Sequence, residues 1–199
     1  MHAGPEPEAH HHHHHTGTRW LDLVLGLSAM VVSVVSLFVA IHHGQTMEKM
    51  VEADTWPYVD FGRSTATPEN KPAGILILTN NGVGPARVET FEVRYKGKPV
   101  TDKLAFIKAA SGDESLANYA LSSTVTDRVI SAGSTVNFLS ITPPDTSSPA
   151  FTQYRQSLAD VSATVCYCSA LDACWVRDSD KPKPEAVKTC PVSNHPYER

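Results

Sequence analysis

The sequence predicts a mainly β chain: a single membrane-spanning helix near the N-terminus, then an antiparallel β-sandwich with one or two short helices. Three observations predict it. Residues 23–41 form a run of nineteen with no formal charge. From Pro57 onward, short apolar runs alternate with Gly, Pro, Asn and Ser-rich turns. Four cysteines crowd into the last part of the 199-residue chain, at Cys166, Cys168, Cys174 and Cys190.

The uncharged run comes first. At about 1.5 Å per residue a helix of this length rises roughly 28 Å, close to the hydrocarbon thickness of a bilayer. A cleaved signal peptide has a shorter apolar core and ends at a small-x-small site. Here Phe38, Val39 and Ala40 place a bulky residue where a small one is wanted, so an uncleaved signal-anchor is expected. Trp20 suits the interface at one end, and Asp22 lies near enough to the end to reach the headgroups. The flanking charges, Arg19 on one side and Lys49 on the other, barely orient the span. The short N-terminal tail and the cysteines favour the N-terminus inside and the domain outside. Gly26, Ala29, Ser33, Ser36 and Ala40 recur at steps of three and four, which lines them along one stripe. Such a stripe is the seam of a left-handed helix pair, so self-association is expected there. Beyond the span, Met47, Met50 and Val51 share one face, extending the helix as a stalk until Trp56 and Pro57 stop it.

Ahead of the span lies a tail with six consecutive histidines, residues 10–15. Weak metal capture, an affinity tag and native low-complexity sequence all fit such a tract. The resulting organisation is a disordered His-rich tail at 1–19, a transmembrane helix at 20–42 and a juxtamembrane helical stalk at 43–55. A β-sandwich domain at 56–190 and a C-terminal tail at 191–199 complete it.

Within the domain, Tyr58 to Phe61 begins a strand. Residues 75–78 form a continuous apolar strand stopped by Asn80, Asn81 and Gly82, a strong turn signal. Residues 88–95 alternate and are turned by residues 96–99. Residues 127–130, 131–134 and 136–139 read as strand, turn and strand. Residues 161–165 lead into Cys166-Tyr167-Cys168, with Cys174, Trp175 and Val176 following after five residues. Helical spacing is expected at 101–110 behind a Thr101 cap, and at 149–158 through Phe151, Tyr154 and Leu158. Gly82 and Gly84 are expected to allow positive φ where the chain reverses, and Pro85 to start the next strand.

Taken together, Trp56-Pro57-Tyr58, the pattern Asn80-x-Gly82-x-Gly84-Pro85-Ala86, and the stretch from Val129 and Ile130 to Gly133 and Ser134 resemble a broad group of uncharacterised bacterial proteins. These are single-pass membrane proteins with an N-terminal helix and a small immunoglobulin-like β-sandwich. The Asn-x-Gly-x-Gly-Pro-Ala pattern is also similar to the strand-turn of adhesion-type and transport-associated β-sandwich modules. The resemblance implies an Ig-like fold at a bacterial inner membrane with a periplasmic domain. It implies no activity and no functional residue.

The cysteines suit disulfides in an oxidising compartment. Cys166 and Cys168 are two apart in a strand and share a face, while Cys168 and Cys174 flank a five-residue loop. That spacing favours Cys168–Cys174 with Cys166–Cys190, though three connectivities are open. Structural zinc prefers C-x₂₋₄-C knuckles, which these spacings do not make. A redox centre lacks C-x-x-C.

The function classes narrow accordingly. From Trp56 to Cys190 Lys and Arg equal Asp and Glu at fourteen each, so no basic face predicts nucleic-acid binding. None of the ten histidines falls between Trp56 and Cys190, which rules out a Ser-His-Asp, Cys-His or His-zinc arrangement within the domain. Carboxylate pairs such as Asp113 with Glu114, or Asp178 with Asp180, are the remaining route to an enzyme and read as solvated loops. The expectation is a non-catalytic, membrane-anchored interaction module, without cofactor or metal, bound to a protein partner or to further copies of itself. A cysteine-based metal or redox protein at the membrane is the alternative.

Overall fold

A computed structural model describes residues 19–197. The histidine tract and the rest of residues 1–18, like residues 198–199, lie outside the described residues. The chain divides into two compact units, residues 1–49 and residues 50–199.

The first unit is dominated by helix α1, Arg19–Asp54, 36 residues long. At about 1.5 Å per residue it runs roughly 54 Å, so span and stalk form one continuous helix. Among the described residues it is the one helix long and apolar enough, by length and composition, to cross a membrane. None of its side chains is buried.

The second unit holds ten strands in two antiparallel sheets. They are β1 Val59–Ala66, β2 Pro72–Asn80, β3 Ala86–Tyr95, β4 Lys98–Pro99, β5 Ala120–Ser122, β6 Val129–Ile130, β7 Thr135–Ile141, β8 Val161–Cys168, β9 Cys174–Asp178 and β10 Glu185–Val187. One sheet runs β1-β2-β7-β5 and the other β10-β9-β8-β3-β4, with β6 also on β3. Val88, Phe91 and Val93 of β3 and Val161, Ala163, Val165 and Tyr167 of β8 meet Leu76, Leu78, Phe138, Leu139 and Ile141 from the opposite sheet in one core. Alternation along β8 puts its odd-numbered residues in this core and leaves Cys166 and Cys168 on the outer face.

Two expected reversals turn out to be crossings between sheets. The Asn80-Asn81-Gly82 signal does not make a hairpin, because β2 and β3 lie in different sheets. Residues 131–134 likewise carry the chain from β6 to β7 in the other sheet. Short-range turn chemistry marks where the chain bends and is silent on which sheet it joins next. The Lys96-Gly97 turn does close the β3–β4 hairpin, with both residues at positive φ of 50° and 75°.

The glycines of the first crossing are needed for room, not for positive φ, which neither adopts. A Cβ on Gly82 would stand 2.4 Å from the Tyr58 nitrogen, and one on Gly84 2.0 Å from the Thr55 oxygen. The crossing packs backbone to backbone on residues 55–58, where Val83 N–H donates to the Trp56 carbonyl at 3.0 Å and Asn81 N–H to that of Tyr58 at 2.7 Å.

Fully buried Asn80 organises this contact. Its Oδ1 accepts from Tyr58 N–H at 3.1 Å and Gly82 N–H at 3.0 Å. Its Nδ2 donates to the Gly84 carbonyl at 2.8 Å and the Ile130 carbonyl at 3.0 Å. Its own backbone pairs with Ser134 and Gly133. Both side-chain lone pairs and both side-chain protons are therefore used.

At the opposite end of the sandwich sit α2, Lys103–Ser111, and α3, Pro149–Ser157. The cap of α2 is Asp102 rather than Thr101: its carboxylate accepts from Leu104 N–H at 2.8 Å and Ala105 N–H at 3.3 Å. A carboxylate satisfies two free helix donors and meets the positive end of the helix dipole, which a threonine hydroxyl does less well. Ser148 caps α3 ahead of Pro149. Phe106, Ile107, Phe151 and Tyr154 join the core, and Gly74 leaves space for Tyr154, whose ring carbon would be 2.4 Å from a Cβ there.

Two outcomes follow. Asn80→Ala takes a partner from two partly buried N–H groups and two buried carbonyls, so urea unfolding of the detergent-solubilised chain should show a loss of about 3 kcal/mol. Burial pushes the Tyr154 phenol above its ordinary value and that of Tyr167 up to about 12. An unfolded tyrosine loses its proton near pH 10, while the native state keeps it. Stability is therefore fully present below pH 10 and falls as pH rises from about 10 towards 12, by up to ~1.4 kcal/mol per pH unit for each tyrosine. Tyr154→Phe should flatten that decline in a pH series of unfolding curves.

Candidate functional site

The four cysteines lie on the outer face of the second sheet. Cys168 and Cys174 are direct cross-strand partners in the β8–β9 hairpin and form one disulfide, with Cα atoms 4.0 Å apart. Cys166, two residues back on the same face, is bonded to Cys190, with Cα atoms 5.7 Å apart. The two bonds lie side by side, with Cys168 Sγ 3.9 Å from Cys190 Sγ. The Sγ atoms of Cys168, Cys174 and Cys190 all fall within 4.8 Å of one another. Sulfurs held in disulfides are not thiolates, so a metal could be held here only after reduction.

The disulfide at Cys190 starts a strap. Residues 190–193 cross the outer face of the sheet, where Ser193 Oγ donates to Glu92 Oε1 at 2.6 Å. The chain then turns around the edge of β3. Tyr197 N–H donates to the Phe91 carbonyl at 2.9 Å, and the ring packs edge-on to Phe91 and Phe138 at 5.7 Å and 5.4 Å. Tyr197 is buried in the core. The segment the sequence sets apart as a tail thus belongs to the domain, pinned outside by a disulfide and inside by an aromatic ring.

A groove of about 500 Å³ opens beside the strap. Phe91 belongs to its β3 wall, Thr124, Thr126 and Asp127 to the loop before β6, and Val192 and Pro196 to the strap. The β3 wall carries a bulge: Val88 faces Tyr167 and Thr90 faces Cys166, leaving Glu89 as the extra residue. A bulge bends a strand and turns its side chains out of register, which opens the edge at this point. Thr126 Oγ1 is buried with no hydrogen-bond partner among the described residues. The groove offers an aromatic surface, hydroxyls and the Asp127 carboxylate, with Glu89 already paired to Arg87, in a mixture suited to an extended, polar segment.

The other expected site residues lie elsewhere. Gly26, Ala29, Ser33, Ser36 and Ala40 are all on α1 and exposed. The Ser33 hydroxyl donates back to the Ala29 carbonyl at 2.8 Å. The acidic pairs do not converge. Asp113 caps the 3₁₀ helix Glu114–Tyr119, and Glu114 pairs with Lys108 at 2.9 Å. Asp178 is not a solvated loop residue: it lies in β9 and binds Arg94 at 3.0 Å, with Asp180 at 3.4 Å. Arg94 is therefore part of a partly buried ion cluster.

The groove was not visible from sequence because it joins segments 89–91, 124–127 and 190–196, distant along the chain. Its one local signal is a lone aromatic, Tyr197, among prolines after the last cysteine. No family model matches the chain, and neither the curated proteins nor the solved structures include a match.

Cys166→Ala combined with Cys190→Ala removes a bond that closes a 24-residue separation. Loop-closure entropy makes such a bond worth about 3 kcal/mol. The double variant should lose that much in denaturant unfolding and should be cut faster by trypsin at Lys188, while cleavage elsewhere in the domain stays slow.

Proposed function

We propose that this protein is a single-pass, membrane-tethered β-sandwich module that binds a protein partner and carries no catalytic chemistry of its own. One observation carries the proposal: a helix long and apolar enough to cross a membrane runs directly into a domain stapled by two disulfides. Persistent disulfides belong to oxidising compartments, which supports a domain outside the inner membrane, periplasmic in a bacterium, with the N-terminus inside.

The strand order supports an immunoglobulin-like reading. Sheet β1-β2-β7-β5 matches the A-B-E-D order of such domains and β9-β8-β3 matches G-F-C. The resemblance to uncharacterised bacterial helix-plus-sandwich proteins is part of the same proposal. For the partner, the groove at the β3 edge is the favoured surface, since its bulge and hydroxyl-lined wall suit an extended segment. For self-association, the stripe from Gly26 to Ala40 is the favoured contact, because small residues let two helix backbones approach closely.

The tether and its orientation are tested together on the full chain in membranes. After alkaline carbonate washing the protein should stay in the membrane pellet, and protease added to the outer face should reach the domain but not residues before the span. Iodoacetamide added without reductant should find no reactive thiol. Release into the supernatant, protection of the domain, or four free thiols would contradict the proposal.

A further inference from the structure

The two disulfides are closer to each other than a structural staple requires. Cys190 is bonded to Cys166 and also lies 3.9 Å, Sγ to Sγ, from Cys168. Cys166 and Cys168 occupy neighbouring outward positions on one strand, about 7 Å apart along β8. The strap residue therefore sits between two sulfurs of a rigid strand, bonded to one and in contact with the other.

We infer that the four cysteines form a thiol–disulfide exchange site that moves the anchor of the strap along β8 in response to a dithiol reductant. In the first step a dithiol, protein or small molecule, reduces Cys168–Cys174. The dithiol closes to its own disulfide, and its two electrons and two protons leave Cys168 and Cys174 as thiols. In the second step the Cys168 thiol gives its proton to solvent and its thiolate attacks Cys190 Sγ. The Cys168–Cys190 bond forms, the Cys190–Cys166 bond breaks, and Cys166 leaves as a thiolate that regains a proton. This second step consumes no further reductant, because one disulfide replaces another.

The consequence reaches the groove. Cys190 and Val192 form part of its wall, and Ser193 is held to Glu92. Relocating the anchor from Cys166 to Cys168 shifts this wall towards the hairpin while Tyr197 holds the far end. The inference stands on the sulfur geometry and is independent of the membrane orientation proposed above.

Two variants of the full chain test it. Cys174→Ser leaves Cys168 as the free thiol beside Cys166–Cys190. The oxidised protein is held at neutral pH in detergent, quenched in acid, alkylated and mapped by fragmentation mass spectrometry. Exchange moves at least about a tenth of the label from Cys168 to Cys166 and leaves Cys190 unlabelled, since Cys190 is bonded in both isomers. Label confined to Cys168 overturns the inference. So does label on Cys190, which reports scrambling through unfolding. Cys166→Ser provides the second reading: the Cys190 thiolate attacks Cys168 and releases Cys174, so label divides between Cys190 and Cys174 and spares Cys168. Label confined to Cys190 in that variant overturns it equally.

Discussion

The sandwich depends on one buried amide. Asn80 ends β2, and its side chain holds four backbone groups from three other places: the start of β1, the crossing to β3 and the end of β6. The Gly84 and Ile130 carbonyls it meets are buried and the Tyr58 and Gly82 N–H groups partly so, and a polar group buried without a partner costs about 1–3 kcal/mol. No hydrophobic residue of similar volume could meet them. The same contact explains the glycines around it. Two backbones can lie against each other only where no Cβ intervenes, and Gly82 and Gly84 are the positions where one would collide with residues 55–58. The part of the chain that follows α1 is thus fastened to both sheets before the first strand begins.

The strap repeats this logic at the other edge. The outer side of β3 is closed in turn by β6, by Tyr197 and by β4, so no single strand covers it. Three unrelated segments meeting on one bulged edge leave a groove between them. Unpaired strand edges attract other chains, and closing most of this one while leaving a polar, aromatic opening restricts what can dock. The neighbouring disulfides set where the strap lies, which places sulfur chemistry and groove shape under one control.

Much of the architecture was legible in the sequence because it rests on local patterns. The uncharged run marks α1, alternation marks β3, and the apolar run at 75–78 marks β2. The spacing of Cys168 and Cys174 implies a hairpin bond, which forms. What local pattern could not supply was sheet membership. The signals at Asn80-Asn81-Gly82 and at 131–134 have the chemistry of tight reversals, yet both carry the chain across the core. The difference is decided by the buried partners of Asn80, which lie up to 50 residues away in sequence. β5 and β10 escaped notice because three-residue edge strands hold too little periodicity to detect. The groove escaped for the same reason as the crossings: its walls are neighbours only after folding.

The firmness of the first crossing between the sheets rests on Asn80. Hydrogen exchange of the Tyr58 and Gly82 amides in the full chain measures it most directly, since both donate to Asn80 Oδ1. Both should exchange only through global unfolding, as slowly as the amides of β8. Exchange of Tyr58 and Gly82 by local opening, with β8 still protected, would contradict it.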